Sequence, residues 1–289
     1  MRGHVANNGF TKFRRRATDH AATVIAASLS ALVVGTLFAI FAYLVIKGAS
    51  SLNWTFLTQT PKPVGEAGGG MANCLFGSVL ILLIASALGL PVGIGAGIYL
   101  AEYGHNRLGQ LIRFTADVLN GVPSIVIGLV AYGLVVVTQG HFSAFSGGVA
   151  LAIMMVPILT RNTEEMLRLV PQSVREAAFG LGIPQWRTTI SITLATARAG
   201  IITGIMLAFA RVAGETAPLL FTALGNTFWS FSPNQPIAAL PLQIYVYANS
   251  PYEEWHRQAW AGALLLIIMI VGTTAVVRFV FLRRMLGAR

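Results

Sequence analysis

Apolar residues in this chain do not alternate with polar ones. They gather in six long blocks, running approximately from Ala21 to Ile46, Cys74 to Ala101, Thr115 to Val137, Phe142 to Thr160, Gly200 to Phe221 and Gln258 to Val277. Each block approaches or exceeds the ~20 residues that a helix needs to cross a ~30 Å hydrocarbon layer. Strands of a membrane barrel would instead show short segments of period two, which these are not. The pattern predicts an all-α polytopic membrane protein with about six transmembrane helices. The first block is longer than the apolar core of a secretory signal and has no evident small-residue cleavage site, so it reads as a span.

The polar residues between the blocks carry a second signal. Arg2, Lys12, Arg14, Arg15 and Arg16 precede the first block, and Arg107 and Arg113 follow the second. Arg161, Arg168, Arg175, Arg187 and Arg198 fill the fourth connection, and Arg278, Arg283, Arg284 and Arg289 close the chain. The alternate connections hold only Lys47, Lys62 and Arg257, a ratio of sixteen to three. By the positive-inside rule the basic set, including both termini, faces the cytoplasm. This divides the chain into a cytoplasmic tail at residues 1–20, a transmembrane domain at 21–282 and a second cytoplasmic tail at 283–289.

Composition narrows the reading further. Of 289 residues 55% are hydrophobic and only 10% charged, against about a quarter charged in soluble domains. So few charges cannot cover a water-exposed surface, which makes membrane lipid the solvent for much of the chain. The net charge of +10 flanks apolar runs and forms no basic face interleaved with aromatics, so nucleic acid is not an expected partner. Cys74 is the sole cysteine, and the five histidines lack ligand spacing. Neither a metal site nor a catalytic residue set is expected, and an embedded enzyme is disfavoured.

Within the blocks, Gly89, Gly93 and Gly97 recur every fourth residue, as do Gly200 and Gly204. Such stripes permit close approach of membrane helices, either within the chain or across a dimer face. Pro91, Pro123, Pro157 and Pro218 are predicted to kink their spans. Prolines at 233, 236, 241 and 251 argue against a long helix in the fifth connection. No internal repeat is evident.

The most informative connection reads PQSVREAAFGLGIPQWRTTISITLA from Pro171. Ser173 and Glu176 have capping-box spacing, which predicts a short helix from about Val174. Gly180 and Gly182 should end it, and Pro184 should open another turn. Glu176-Ala177-Ala178, Gly182, Ile192 and Leu194 stand at the spacing of the EAA loop, and the segment resembles that loop of ABC importer permeases. Ala195 departs from the family's proline. GIYLAEYG from Gly97, DVLNGVPSIVIGL from Asp117, ARVAGETAPLLFTALG from Ala210 and ALPLQIYVYANSP from Ala239 resemble one branch, the A-type permease subunits (PstA) of the high-affinity phosphate importer.

The resemblance implies a type I ABC importer permease whose EAA coupling loop, residues 171–195, docks on an ATPase through Ser173, Glu176, Ala177, Ala178 and Gly182. It further implies a second permease subunit (PstC-like), two ATPase subunits (PstB-like) and an extracytoplasmic phosphate-binding protein (PstS-like). The chain has no G-x-x-x-x-G-K-[ST] loop, so ATP and Mg would be bound by the ATPase partners and no cofactor by this chain. Other readings are a permease for another oxyanion or a phosphonate, or an ATP-independent channel or secondary transporter.

Arg211 and Glu215 lie within the fifth block at i, i+4, where they can pair on one helix face. Ionised residues there cost roughly 2.5–3.5 kcal/mol each on insertion scales, so they face a cavity or a partner. Guanidinium binds phosphate in a planar fork, and the corresponding Arg and Glu of the resembled family are associated with transport. Asn120 and Ser124 are further candidates to line the path. Arg113 with Asp117 reads as a headgroup-level pair. Glu164 and Glu165, beside Arg161 and Arg168, read as a solvated helix face.

Overall fold

The structure, a computed structural model, describes residues 9–66 and 68–286, with side chains over 15–66 and 68–280. Arg2 and the side chains of Lys12, Arg14, Arg283, Arg284 and Arg289 lie outside the described residues. The described elements are helical: α1 (Gly9–Ala49), α2 (Trp54–Thr58), α3 (Ala72–Glu102), α4 (Arg107–Gly121), α5 (Ser124–Ala131) and α6 (Val137–Gln139) come first. There follow α7 (Ala144–Arg168), α8 (Gln172–Gly180), α9 (Gln185–Thr188), α10 (Leu194–Ala213), α11 (Ala217–Thr222), α12 (Leu240–Ala248) and α13 (Glu253–Leu286). π-helical turns at Tyr132–Val136 and Thr189–Thr193 join α5 to α6 and α9 to α10.

Five of these helical stretches are long and apolar enough to cross a membrane, and α4 with α5–α6 makes a sixth if counted as one bent span. α1 starts at Gly9, inside the segment expected as a tail, and α13 continues to Leu286.

α7 is the central helix. Its N-terminus is closed by a Ser143–Ser146 capping box, and most of its apolar length is buried. The glycine stripe of α3 lies against it: an added Cβ would meet Met155 from Gly89, Leu159 from Gly93 and Thr163 from Gly97. Gly200 and Gly204 of α10 likewise face Met166 and Asn162 of α7. Both stripes therefore serve packing within this chain, and the smallest residues stand where two helix backbones come nearest. Ile81, Leu82, Leu151, Met155, Leu159, Ala208, Val212 and Leu219 form the core at these crossings.

α1 stands apart. Val24, Leu32, Phe38 and Ile46 are exposed, and only its last turns dock on α13, with Tyr43 edge-on to Trp260 at 5.3 Å and Gly48 under Leu264.

Loops alternate between two ends of the molecule. At one end, backbone groups join Ser143 N–H to Thr222 O at 3.1 Å and Ala144 N–H to Gln235 O at 3.0 Å. Asn73 Nδ2 donates to Asn226 O there (2.9 Å), and Leu240 N–H to Ser78 Oγ (2.7 Å). The opposite end gathers Arg113, Arg161, Arg168 and Arg175.

Two expected kinks are complete breaks. Pro91 and Pro157 lie inside continuous helices, whereas Pro123 stands at the start of α5 and Pro218 in the first turn of α11. The α4 and α5–α6 arms differ in direction by 110°, so the third block is not one straight span. A proline ring biases the preceding residue, here Val122 at ψ 131°, to extended backbone, which ends α4. The fifth block also divides: the helix running from Gln185 stops at Ala213, and Gly214, Glu215 and Thr216 separate it from α11.

Candidate functional site

The four residues picked as path candidates flank the two breaks. Asn120 sits in the last turn of α4 and Ser124 opens α5, with Val122 and Pro123 between them. Arg211 occupies the last turn of α10, while Glu215 lies beyond Gly214. The half-helices that follow the breaks pack on each other: a Cβ added to Gly128 of α5 would lie 2.7 Å from Pro218 Cα of α11. Irregular backbone at membrane depth persists where protein covers it or where it lines a water-filled cavity.

Arg211 is exposed and Glu215 half-buried, and the two make no ion pair with each other among the described residues. The i, i+4 pairing read from the sequence is therefore not formed, because the helix that would carry it ends at Ala213. The Arg211 side chain is exposed at the end of α10.

At the basic end the EAA segment folds as α8, but not with the expected cap. The helix starts two residues early, at Gln172 after Pro171, which places Ser173 inside it, and no side chain caps its N-terminus. Proline's fixed φ lets Pro171 open the helix without a capping hydroxyl. The other end follows expectation: Gly182 has φ +75°, its N–H donates to Phe179 O (2.9 Å), and Ile183 N–H donates to Ala178 O (3.1 Å). These are the two bonds of a Schellman close, whose left-handed residue favours glycine. Pro184 then opens α9.

Burial divides the expected docking residues. Ser173, Glu176, Ala177 and Gly182 are exposed, but Ala178 is 3% exposed and packs into its own chain, so it is not surface for a partner. Leu181 (81% exposed), Trp186, Phe179 and Leu169 form the outward apolar surface instead. Their signal was present in the sequence as large apolar side chains in a basic connection outside the spans.

The charged residues of this end also take other partners than their spacing suggested. Arg113 does not pair with Asp117. Its Nε donates to Glu164 at 2.6 Å, and its other nitrogens donate to Gly104 O (2.8 Å) and Leu100 O (2.9 Å), tying α3, α4 and α7 together. Asp117 accepts from Arg161 Nε at 2.7 Å. Glu164 is not solvated: its side chain is 3% exposed, with Arg168 at 2.7 Å and Arg161 at 3.3 Å besides Arg113. Glu165, one position on, is exposed. Packing of α4 across α7 covers the first carboxylate and leaves the second in solvent. A separate ion pair joins Arg175 of α8 to Glu102, the last residue of α3.

Residues 93–285 match the family model described as binding-protein-dependent transport system inner membrane component. The chain belongs to this family. Among curated relatives, the phosphate transport system permease protein PstA of Yersinia pestis is 48% identical over 241 residues, covering 83% of this chain and 82% of its own. That of Xylella fastidiosa (strain 9a5c) is 49% identical over 243 residues, covering 83% and 84%. A solved structure of the MetNI methionine ABC transporter, in an inward-facing conformation, shares the fold. Its TM-score is 0.58 over 76% of this chain and 97% of that chain, at 14% identity. The fold is thus that of an ABC importer permease, and family members of this kind are transport subunits, not enzymes.

Proposed function

We propose that this chain is the permease subunit of an ATP-driven importer of inorganic phosphate and forms half of its translocation path. Its basic end and both termini face the cytoplasm of a bacterial inner membrane, where α8 and the Leu181–Trp186 surface dock on an ATPase that binds ATP and Mg. A second permease subunit, two ATPase subunits and an extracytoplasmic phosphate-binding protein complete the assembly. The relatives named as phosphate permeases support the substrate, and the lack of a phosphate loop in this chain supports a separate motor.

One observation carries the site: an exposed guanidinium, Arg211, without an ion-pair partner among the described residues, at the break of a membrane helix whose second half, α11, packs on α5. A fixed planar fork suits a tetrahedral oxyanion, and Glu215 near it keeps the grip weak enough for release. Asn120 and Ser124 supply neutral hydrogen bonds at the adjoining break. Closure of the ATPases moves α8, and the spans rock between states that hold the anion differently, as coupling requires.

In the reconstituted complex Arg211→Gln should nearly stop ATP-dependent phosphate uptake with assembly and ATP binding intact. Arg211→Lys should restore only part, since ammonium lacks the bidentate geometry. Full transport by an assembled Arg211→Gln, Glu215→Gln double variant would reject the role, and competition by sulfate would redirect the substrate to another oxyanion.

A further inference from the structure

Arg175 precedes the EAA triplet by a single position, yet its side chain turns away from the docking surface. It is 13% exposed, and its partner Glu102 is 6% exposed. One guanidinium nitrogen pairs with the Glu102 carboxylate at the end of α3, and another donates to Leu167 O near the end of α7 at 2.9 Å. These are the two helices joined along the glycine stripe, with Gly97 against Thr163 just inside the Arg175 site. Glu164 is held by Arg113, Arg161 and Arg168, whereas Arg175 is the ion-pair partner of Glu102 among the described residues.

We propose that Arg175 is the positioning residue that passes displacement of the docking helix to the translocation path, its guanidinium linking α8 to α3 through Glu102 and to α7 through the Leu167 carbonyl. The inference rests on the reading of α8 as the ATPase-docking helix. The apolar contacts that also seat α8, Val174 among Leu167, Val170 and Ile201, resist separation but are non-directional. A buried guanidinium with two fixed acceptors sets distance and angle together. Motion of α8 then reaches α3 and α7 as one body, since Gly89, Gly93 and Gly97 of α3 pack directly on α7.

The test is a double-mutant cycle in the whole reconstituted transporter: Arg175→Gln, Glu102→Gln and both, each beside the unsubstituted pair. All four carry Gly180→Cys, at a position on α8 where an added Cβ meets nothing within 4 Å, and native Cys74 is fully buried and does not compete for a crosslinker. Crosslinking to the ATPase reports docking, and phosphate carried per ATP hydrolysed reports coupling. Each single variant should keep the crosslink and lower the phosphate-to-ATP ratio at least tenfold, and the double variant should be no worse than either single one. An unchanged ratio in Arg175→Gln overturns the proposal. So do losses that multiply in the double variant, and so does disappearance of the crosslink in Arg175→Gln, which would make Arg175 a support for α8 alone. Failure of the crosslink in the chain with Arg175 and Glu102 intact would instead remove the docking reading itself.

Discussion

Glu164→Gln isolates the buried charge cluster, because Gln keeps the shape of the side chain and removes only its charge. In the native chain this carboxylate faces Arg113 at 2.6 Å, Arg168 at 2.7 Å and Arg161 at 3.3 Å, with 3% of its side chain exposed. Removing one member of a buried ion pair costs about 3–5 kcal/mol, since the partner is left charged and unpaired. The three arginines retain part of their hydration, and Arg161 keeps Asp117, so the cost should lie near the lower figure, about 3 kcal/mol. At about 2–4 °C per kcal/mol for a chain of this size, the melting temperature should fall by roughly 6–12 °C. Thermal unfolding of the purified protein in detergent measures this directly. Glu165→Gln, one residue away and exposed, should change stability by no more than about 0.5 kcal/mol. Equal melting temperatures for the two variants would refute the argument that α4 buries Glu164 against α7.

Gly97→Leu should part α3 from α7 and destabilise by about 1–3 kcal/mol, because its Cβ would lie 2.5 Å from Thr163 Cβ. Gly95→Leu, where an added Cβ meets nothing within 4 Å, should be neutral in the same melting assay. Leu181→Glu should leave the protein in the membrane at normal level while abolishing ATPase capture in pull-down. Ala178→Glu should instead lower that level, as it forces a charge into a buried position. Reporter fusions after residue 65 should lie outside the cytoplasm, and those after Arg175 and at Arg289 inside. An inside signal at 65 with α1 intact would overturn the orientation.

Membrane spans and their alternation were legible in the sequence because each rests on local quantities. A run such as Cys74 to Ala101 must leave water as a helix whatever it touches, and loop arginines count the same in any packing. The turn at Gly182 was legible for the same reason, since a left-handed residue closing α8 needs only its own missing side chain. Partners were not legible. Arg113 stands one turn from Asp117, yet it reaches Glu164 across to α7, and Arg161 takes Asp117. Spacing along one helix says which residues share a face, while the crossing of a second helix decides which of them meet. Prolines marked where α5 and α11 begin, but the 110° angle between α4 and α5–α6 is set only in the tertiary structure. Ala177 and Ala178 are chemically identical, and only the seating of α8 on its own chain turned one outward and buried the other. Likewise Arg211 and Glu215 had helical spacing without a helix to use it, because Gly214 ends α10 between them.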